Sequence, residues 1–221
     1  MALPHEEKPL GLQIPAVPAG VEIPPEPPDV GARALSVASR LLAGATTFFF
    51  LAFVFAYFYL RSLNVEHMWH PAHVKPKAAL GVVFVVCIVL SAAAAIVAGR
   101  GMKAGRAGWL RPAWAAVVLG LAAIAVQCIE YTVQKFGPTN GAFASVFCTW
   151  TALYMIAVLG AMYWLETQAA TEMRASRSPA AGGGDIQDPD RLIAPSLDAA
   201  VFYWSYLAAI GVITYVILYL L

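Results

Sequence analysis

Three histidines at spacing three, His67, His70 and His73, are the side chains of this chain best suited to ligand chemistry. Three imidazoles bind zinc or copper when the backbone folds around them. Pro71 breaks any helix that would stack them, and no cysteine joins them. Trp69 and the nearby Lys75 and Lys77 fit an interfacial rim equally well, with amphipathic rings at headgroup depth. The fourth histidine, His5, lies near the start of the sequence, so none falls in the long apolar stretches. Haem ligation by paired imidazoles within those stretches is therefore excluded, and the chain is expected to carry no redox centre of its own.

A second candidate is Glu130, with Gln127 one turn before it and Tyr131 directly after. It lies within an apolar stretch, about one turn short of its outer boundary, where an ionisable group is costly and is kept for a reason. Positions three and four apart share a helix face, so the cluster is read as a structural polar group bonded to a neighbouring helix or to interfacial water; the alternatives are contacts to lipid headgroups or a cavity, and a proton-handling role. Asp198, just after Ser196, is expected at a helix N-terminus, where negative charge is favourable. Glu166 is expected in solvent. Cys87, Cys128 and Cys148 show no CxxC spacing and are expected to be buried free thiols. No glycine-rich phosphate loop and no Ser-His-Asp or Cys-His set is present, so the sequence offers no catalytic residues.

The elements that must hold these residues are five apolar runs, roughly 34–60, 78–98, 113–133, 142–165 and 199–221. Each is about the twenty residues an α-helix needs to cross ~30 Å of hydrocarbon. In lipid the backbone must bond within its own segment, which predicts an all-α polytopic membrane protein of five transmembrane helices. Composition agrees: 60% of residues are hydrophobic and 12% charged, against about 25% charged in a soluble domain. The net charge of +1 carries no message about nucleic acid. Lys8, Arg33, Arg40, Arg100, Lys103, Arg106, Arg111, Arg174, Arg177 and Arg191 fall on one side of the alternating connections, and only Arg61, Lys75, Lys77 and Lys135 on the other. That bias predicts a cytoplasmic N-terminus and an external C-terminus.

Residues 1–33 read as a proline-rich cytoplasmic arm, with no basic and apolar signal pattern. It is either a disordered tail or a strap along a partner. Residues 34–221 form the five-helix domain, and 171–195, with three consecutive glycines at 182–184, is expected to be a flexible cytoplasmic loop. Ala92 to Ala95 and Ala116-x-x-x-Gly120 offer small-residue faces for close helix approach. Phe48, Phe49, Phe50, Phe53, Phe55, Tyr57, Phe58 and Tyr59 make the first run aromatic on nearly every side, suited to packing on protein or lipid.

Four local patterns, in register across the five runs, resemble subunit III of the haem–copper respiratory oxidases. Phe48 to Phe58, ending Ala56-Tyr57-Phe58, is similar to that family's phenylalanine-rich helix. Gln127-Cys128-Ile129-Glu130-Tyr131 resembles its Gln-x-x-Glu-Tyr/Trp helix. Gly141-Ala142-Phe143-Ala144-Ser145-Val146-Phe147 follows at the expected distance, and Tyr203-Trp204-Ser205-Tyr206 is similar to its Tyr-Trp-His-Phe. The resemblance covers roughly Leu41 to Leu221, in a five-helix form without the first two of the usual seven spans.

It implies a non-catalytic, stabilising subunit III of a terminal oxidase of the cytochrome c oxidase type, in a bacterial cytoplasmic membrane. The partners implied are the catalytic subunit I, which with other subunits carries the haem and copper, and membrane lipids held as bound phospholipid. The chain departs from the family at Thr46, where a carboxylate is usual, at Tyr154 and Ala157, where two histidines are usual, and at Ser205, where another stands. These changes put a proton-antenna role in doubt and leave an accessory subunit of a nitric oxide reductase as an alternative. An independent transporter is a third reading, but repeated halves and broken helices are not evident.

Overall fold

The computed structural model describes residues 28–63, 69, 74–177 and 190–221. The arm before residue 28, His67, His70, His73 and the glycine run at 182–184 lie outside the described residues. Among the described residues the chain has no strand and forms five helical rods: α1 (Pro28–Ser62), α2 (Ala78–Lys103), α3 (Leu110–Val133), α4 (Ala142–Arg177) and α5 (Asp190–Tyr215). All five are long and apolar enough to span a membrane. A turn of 3-10 helix, Ala107–Trp109, leads into α3, and a π-helical turn, Val216–Leu220, finishes α5.

Two helices are longer than hydrocarbon requires. At ~1.5 Å rise per residue, α1 and α4, of 35 and 36 residues, reach well past an apolar layer. Both overhang the end of the bundle where α2 finishes, called here the Lys103 end; the opposite one is the Lys77 end. The expected arm to residue 33 is thus shortened, because α1 begins at Pro28. Proline is at home in a first turn, where its missing N–H has no carbonyl to meet. The expected loop 171–195 contracts in the same way: α4 runs to Arg177 and α5 starts at Asp190. Thr171-Glu172-Met173-Arg174 is too polar for hydrocarbon, which is why the apolar run stops earlier, but nothing in it opposes a helix in water.

Helices α2 and α3 form the tightest pair. Their reversal uses Gly105 at φ +63°, a left-handed conformation that favours glycine, with Arg106 N–H donating to the Gly101 carbonyl at 3.0 Å. Ala92, Ala95 and Ala98 on α2 are buried, as are Ala113, Ala116 and Gly120 on α3. Small side chains let these backbones approach where lipid gives no hydrophobic drive. Ser91 uses that closeness to donate to the Ala116 carbonyl at 2.6 Å, and the Trp204 indole of α5 donates to Ser91 at 3.1 Å. Gly120 is needed for the same reason: a Cβ there would stand 2.6 Å from Met162 Sδ.

Helix α1 lies against α4 and α5 and divides its aromatic residues between two faces. Phe50 and Tyr57 are buried, whereas Phe48 is 78% and Phe55 70% exposed. The inward face adds two polar rungs to α5: Thr46 meets the Tyr203 hydroxyl at 3.0 Å, and Thr47 meets that of Tyr206 at 2.7 Å. At the Lys77 end Trp69 is buried rather than spread along a headgroup rim. It packs edge-on to Tyr57 and Phe143, with ring centroids 5.2 and 5.7 Å away.

Candidate functional site

Polar atoms converge at the Lys77 end around Glu130, which has no exposed surface. Gln127 sits one turn earlier on α3 and is 2% exposed. The carboxylate collects three donors from three segments. Oε1 accepts the Lys77 backbone N–H at 3.2 Å. Oε2 accepts the Gln127 side-chain amide at 3.0 Å and the Tyr219 hydroxyl at 2.6 Å.

Each donor arrives for a local reason. Lys77 precedes the first turn of α2, where backbone N–H groups have no carbonyl within their own helix. That terminus also carries partial positive charge, which suits a carboxylate. Tyr219 belongs to the π-helical turn, closed by the Leu221 N–H on the Val216 carbonyl at 3.2 Å. Gly81 leaves room for its ring, since a Cβ there would lie 2.7 Å from Tyr219 Cε1. The Phe147 ring, 5.5 Å away in an edge-to-face arrangement, covers the tyrosine from α4.

Among the described residues the hydrogen-bond partners of Glu130 are neutral, directed donors. Such a cluster fixes α2, α3 and the end of α5 to one another. Of the three residues grouped from the sequence, the structure brings Gln127 and Glu130 together and sends Tyr131 elsewhere. The Tyr131 hydroxyl pairs with Thr151 at 2.5 Å and with the Cys148 carbonyl at 3.3 Å, on α4. Consecutive helical residues point about 100° apart, which is enough to give each its own neighbour. Tyr219 and the Lys77 amide were not foreseen. A backbone donor leaves no trace in residue type, and Tyr219 is placed by a π-turn that periodicity does not reveal.

Two of the positions that depart from the oxidase pattern, Thr46 and Tyr154, join helices. Thr46 holds Tyr203, as above. Tyr154 is buried and donates to the Leu207 carbonyl at 2.7 Å, joining α4 to α5. Ser205 donates within its own helix to Val201 at 2.8 Å. Ala157 is half-buried.

The Lys103 end is built differently. Asp198 lies in the interior of α5 rather than at its N-terminus, because the helix starts at Asp190 and continues through Pro195. Its partner is not a helix dipole but Lys103, whose ammonium is 2.6 Å away; the two side chains are 61% and 57% exposed. They border a groove of about 390 Å³ lined also by Ser36, Ser39 and Arg40 of α1 and by Pro195 and Phe202 of α5. Glu166 is exposed. The cysteines are free; Cys87 and Cys148 are half-buried, but Cys128 is exposed on the bundle surface, contrary to expectation. A small apolar thiol costs nothing on a lipid-facing surface. Among the described residues no group of three His, Cys, Asp or Glu side chains is placed to hold a metal ion.

Fold and site together define a polytopic α-helical membrane protein in which a buried carboxylate is hydrogen-bonded to groups from neighbouring segments. The sequence profile of cytochrome c oxidase subunit III matches residues 32–177, well over half of the chain. The chain belongs to that family, and so to the subunit III component of multi-subunit haem–copper oxidases, which it shares with subunit I. The match takes in α1 to α4 and stops before α5. No curated protein is similar enough to count as a match.

Proposed function

We propose that this chain is a non-catalytic, stabilising subunit III of a haem–copper terminal oxidase in a bacterial cytoplasmic membrane, packed on subunit I and carrying bound phospholipid. One observation carries the reading: Glu130, a carboxylate with no exposed surface, is held by Lys77, Gln127 and Tyr219. These three contacts serve architecture, tying α2, α3 and the end of α5 together. The apolar spans contain no histidine, so the haem and copper of the oxidase belong to other chains. Lipid binding is supported by the groove at the Lys103 end, which is lined by Arg40, by the Lys103–Asp198 pair and by apolar residues including Ala199 and Phe202. A guanidinium beside apolar side chains suits a phosphate headgroup with its acyl chains. The excess of Lys and Arg on this side supports placing it in the cytoplasm.

The test is removal of this chain from the purified oxidase. The depleted enzyme is expected to start at nearly the rate of the intact one and to lose activity faster during turnover, because interface and ordered lipid are lost while the redox centres stay. An initial rate abolished with the haem spectrum intact would give the chain a direct part in the chemistry.

A further inference from the structure

Two helices overhang the Lys103 end, and their outer faces differ. The overhang of α4 is built for water: Glu166, Thr171 and Arg174 are exposed, while Ala169 is buried. The overhang of α1 is not. Arg40 borders the same groove as Lys103 and Asp198, so these charges share one level. From Arg40 to Arg61 is about the twenty residues that cross ~30 Å of hydrocarbon. The part of α1 before Arg40 therefore stands past the apolar layer. Even so, Val30 and Val37 are 39% and 53% exposed there, with Ala34 and Ala38 exposed beside them.

This apolar face runs on without a break into the span. Val30, Val37, Leu41, Phe48, Phe55 and Tyr59 are four or seven positions apart, so they lie one above another along the helix. All six are exposed. Between them stand Ala34, Ala45 and Ala52, also exposed. Large side chains separated by small ones form a ridge with gaps, the surface that interdigitates with a second helix. The opposite face of α1, with Phe50 and Tyr57, is already spent on the bundle.

We propose that the outer face of α1 is the docking seam for one long transmembrane helix of another oxidase subunit, a helix that also continues past the bilayer on the Lys103 side. The proposal deepens the reading above and rests on it only in placing the chain inside an oxidase complex. Acyl chains can cover Leu41 to Tyr59, but they do not reach Val30, Ala34 and Val37. A second copy of this chain fits less well. Arg33 and Arg40 are exposed on the overhang, and from Val30 to Ser62 α1 has no acidic residue, so a second copy would add like charge. The partner helix is thus apolar at helical spacing within the lipid and acidic in its own overhang, near Arg33.

The experiment places a photoreactive benzoyl-phenylalanine at Val37, at Phe55 or, as a control on α3, at Val118, in the purified oxidase complex. Cross-linked peptides are then identified by mass spectrometry. Val37 and Phe55 are expected to join the same helix of one other subunit, at points ~27 Å apart, as eighteen residues of α1 at ~1.5 Å each require. Val118 should not join that helix. Cross-links from both seam sites to lipid alone, or to a second copy of this chain, would overturn the proposal with the complex intact. Absence of this chain from the purified oxidase would overturn both the proposal and the reading beneath it. Val37→Asp gives an independent measure, since it lies outside hydrocarbon and does not hinder insertion. It should lower the amount of chain retained with the complex through detergent washing, whereas Thr171→Asp on the α4 overhang should not. Equal retention of the two variants would also overturn the proposal.

Discussion

The two ends of the bundle handle charge in opposite ways. At the Lys77 end a carboxylate with no exposed surface takes three neutral donors from three segments. At the Lys103 end a carboxylate and an ammonium meet directly, at 2.6 Å, yet both remain more than half exposed beside an open groove. The shorter, fully charged contact is the weaker holder of structure, because water screens it and competes for both partners. The longer, uncharged contacts matter more, because losing any one leaves a buried polar atom with no substitute. One end is a clamp and the other an exposed ion pair beside an open groove.

The largest effect that sharpens this contrast is expected from Glu130→Leu. It strands the Lys77 N–H, the Gln127 amide and the Tyr219 hydroxyl together, at about 1–3 kcal/mol each before relaxation. Little of the chain should assemble into the oxidase, as read by the amount recovered with subunit I. Normal recovery would break the comparison, since the clamp would then not be needed.

Glu130→Gln is milder. One side-chain oxygen still accepts, and one donor faces an amide hydrogen, at a cost of about 1–3 kcal/mol. Assembly and most turnover should survive. A complex that is intact but inactive would require the carboxylate itself in proton transfer. Tyr219→Phe removes a single intramembrane hydrogen bond, for which about 1–2 kcal/mol is the expected scale. It should lower the temperature at which this chain leaves the complex by a few degrees, with the initial rate unchanged.

The smallest effect on stability belongs to Lys103→Ala. An exposed ion pair is worth about 0–1 kcal/mol, so release on heating should barely move. Its consequence should lie in composition, with less phospholipid retained through detergent washing. If Lys103→Ala destabilised the chain more than Tyr219→Phe did, the roles assigned to the two ends would be reversed.

These contrasts also mark how far the sequence could be read. The five spans were legible because hydrocarbon imposes a length and forbids charge, and those demands appear directly in residue type. Helix ends were not legible. Beyond the lipid a helix needs no apolar residues, so α4 continues through Glu172 and Arg174 and α5 begins before Pro195. Misjudging that start misplaced Asp198 at a helix terminus. The Glu130 position stood out by its cost, but its partners did not. Gln127 follows from helical spacing, whereas Tyr219 depends on a π-turn and the Lys77 amide on chain entry into α2. The small-residue faces of α2 and α3 marked surfaces that meet; nothing in them tells which helix meets which. Cys128 was misassigned because a span gives no sign of which side faces lipid.

The account rests on the claim that this chain holds the oxidase together and leaves the chemistry to its partners. The most direct test is haem absorbance and metal content, measured on the purified complex and again on this chain after separation from every other subunit. The complex is expected to contain haem and copper, and the separated chain neither. Haem bands or stoichiometric copper remaining with the separated chain would contradict the account.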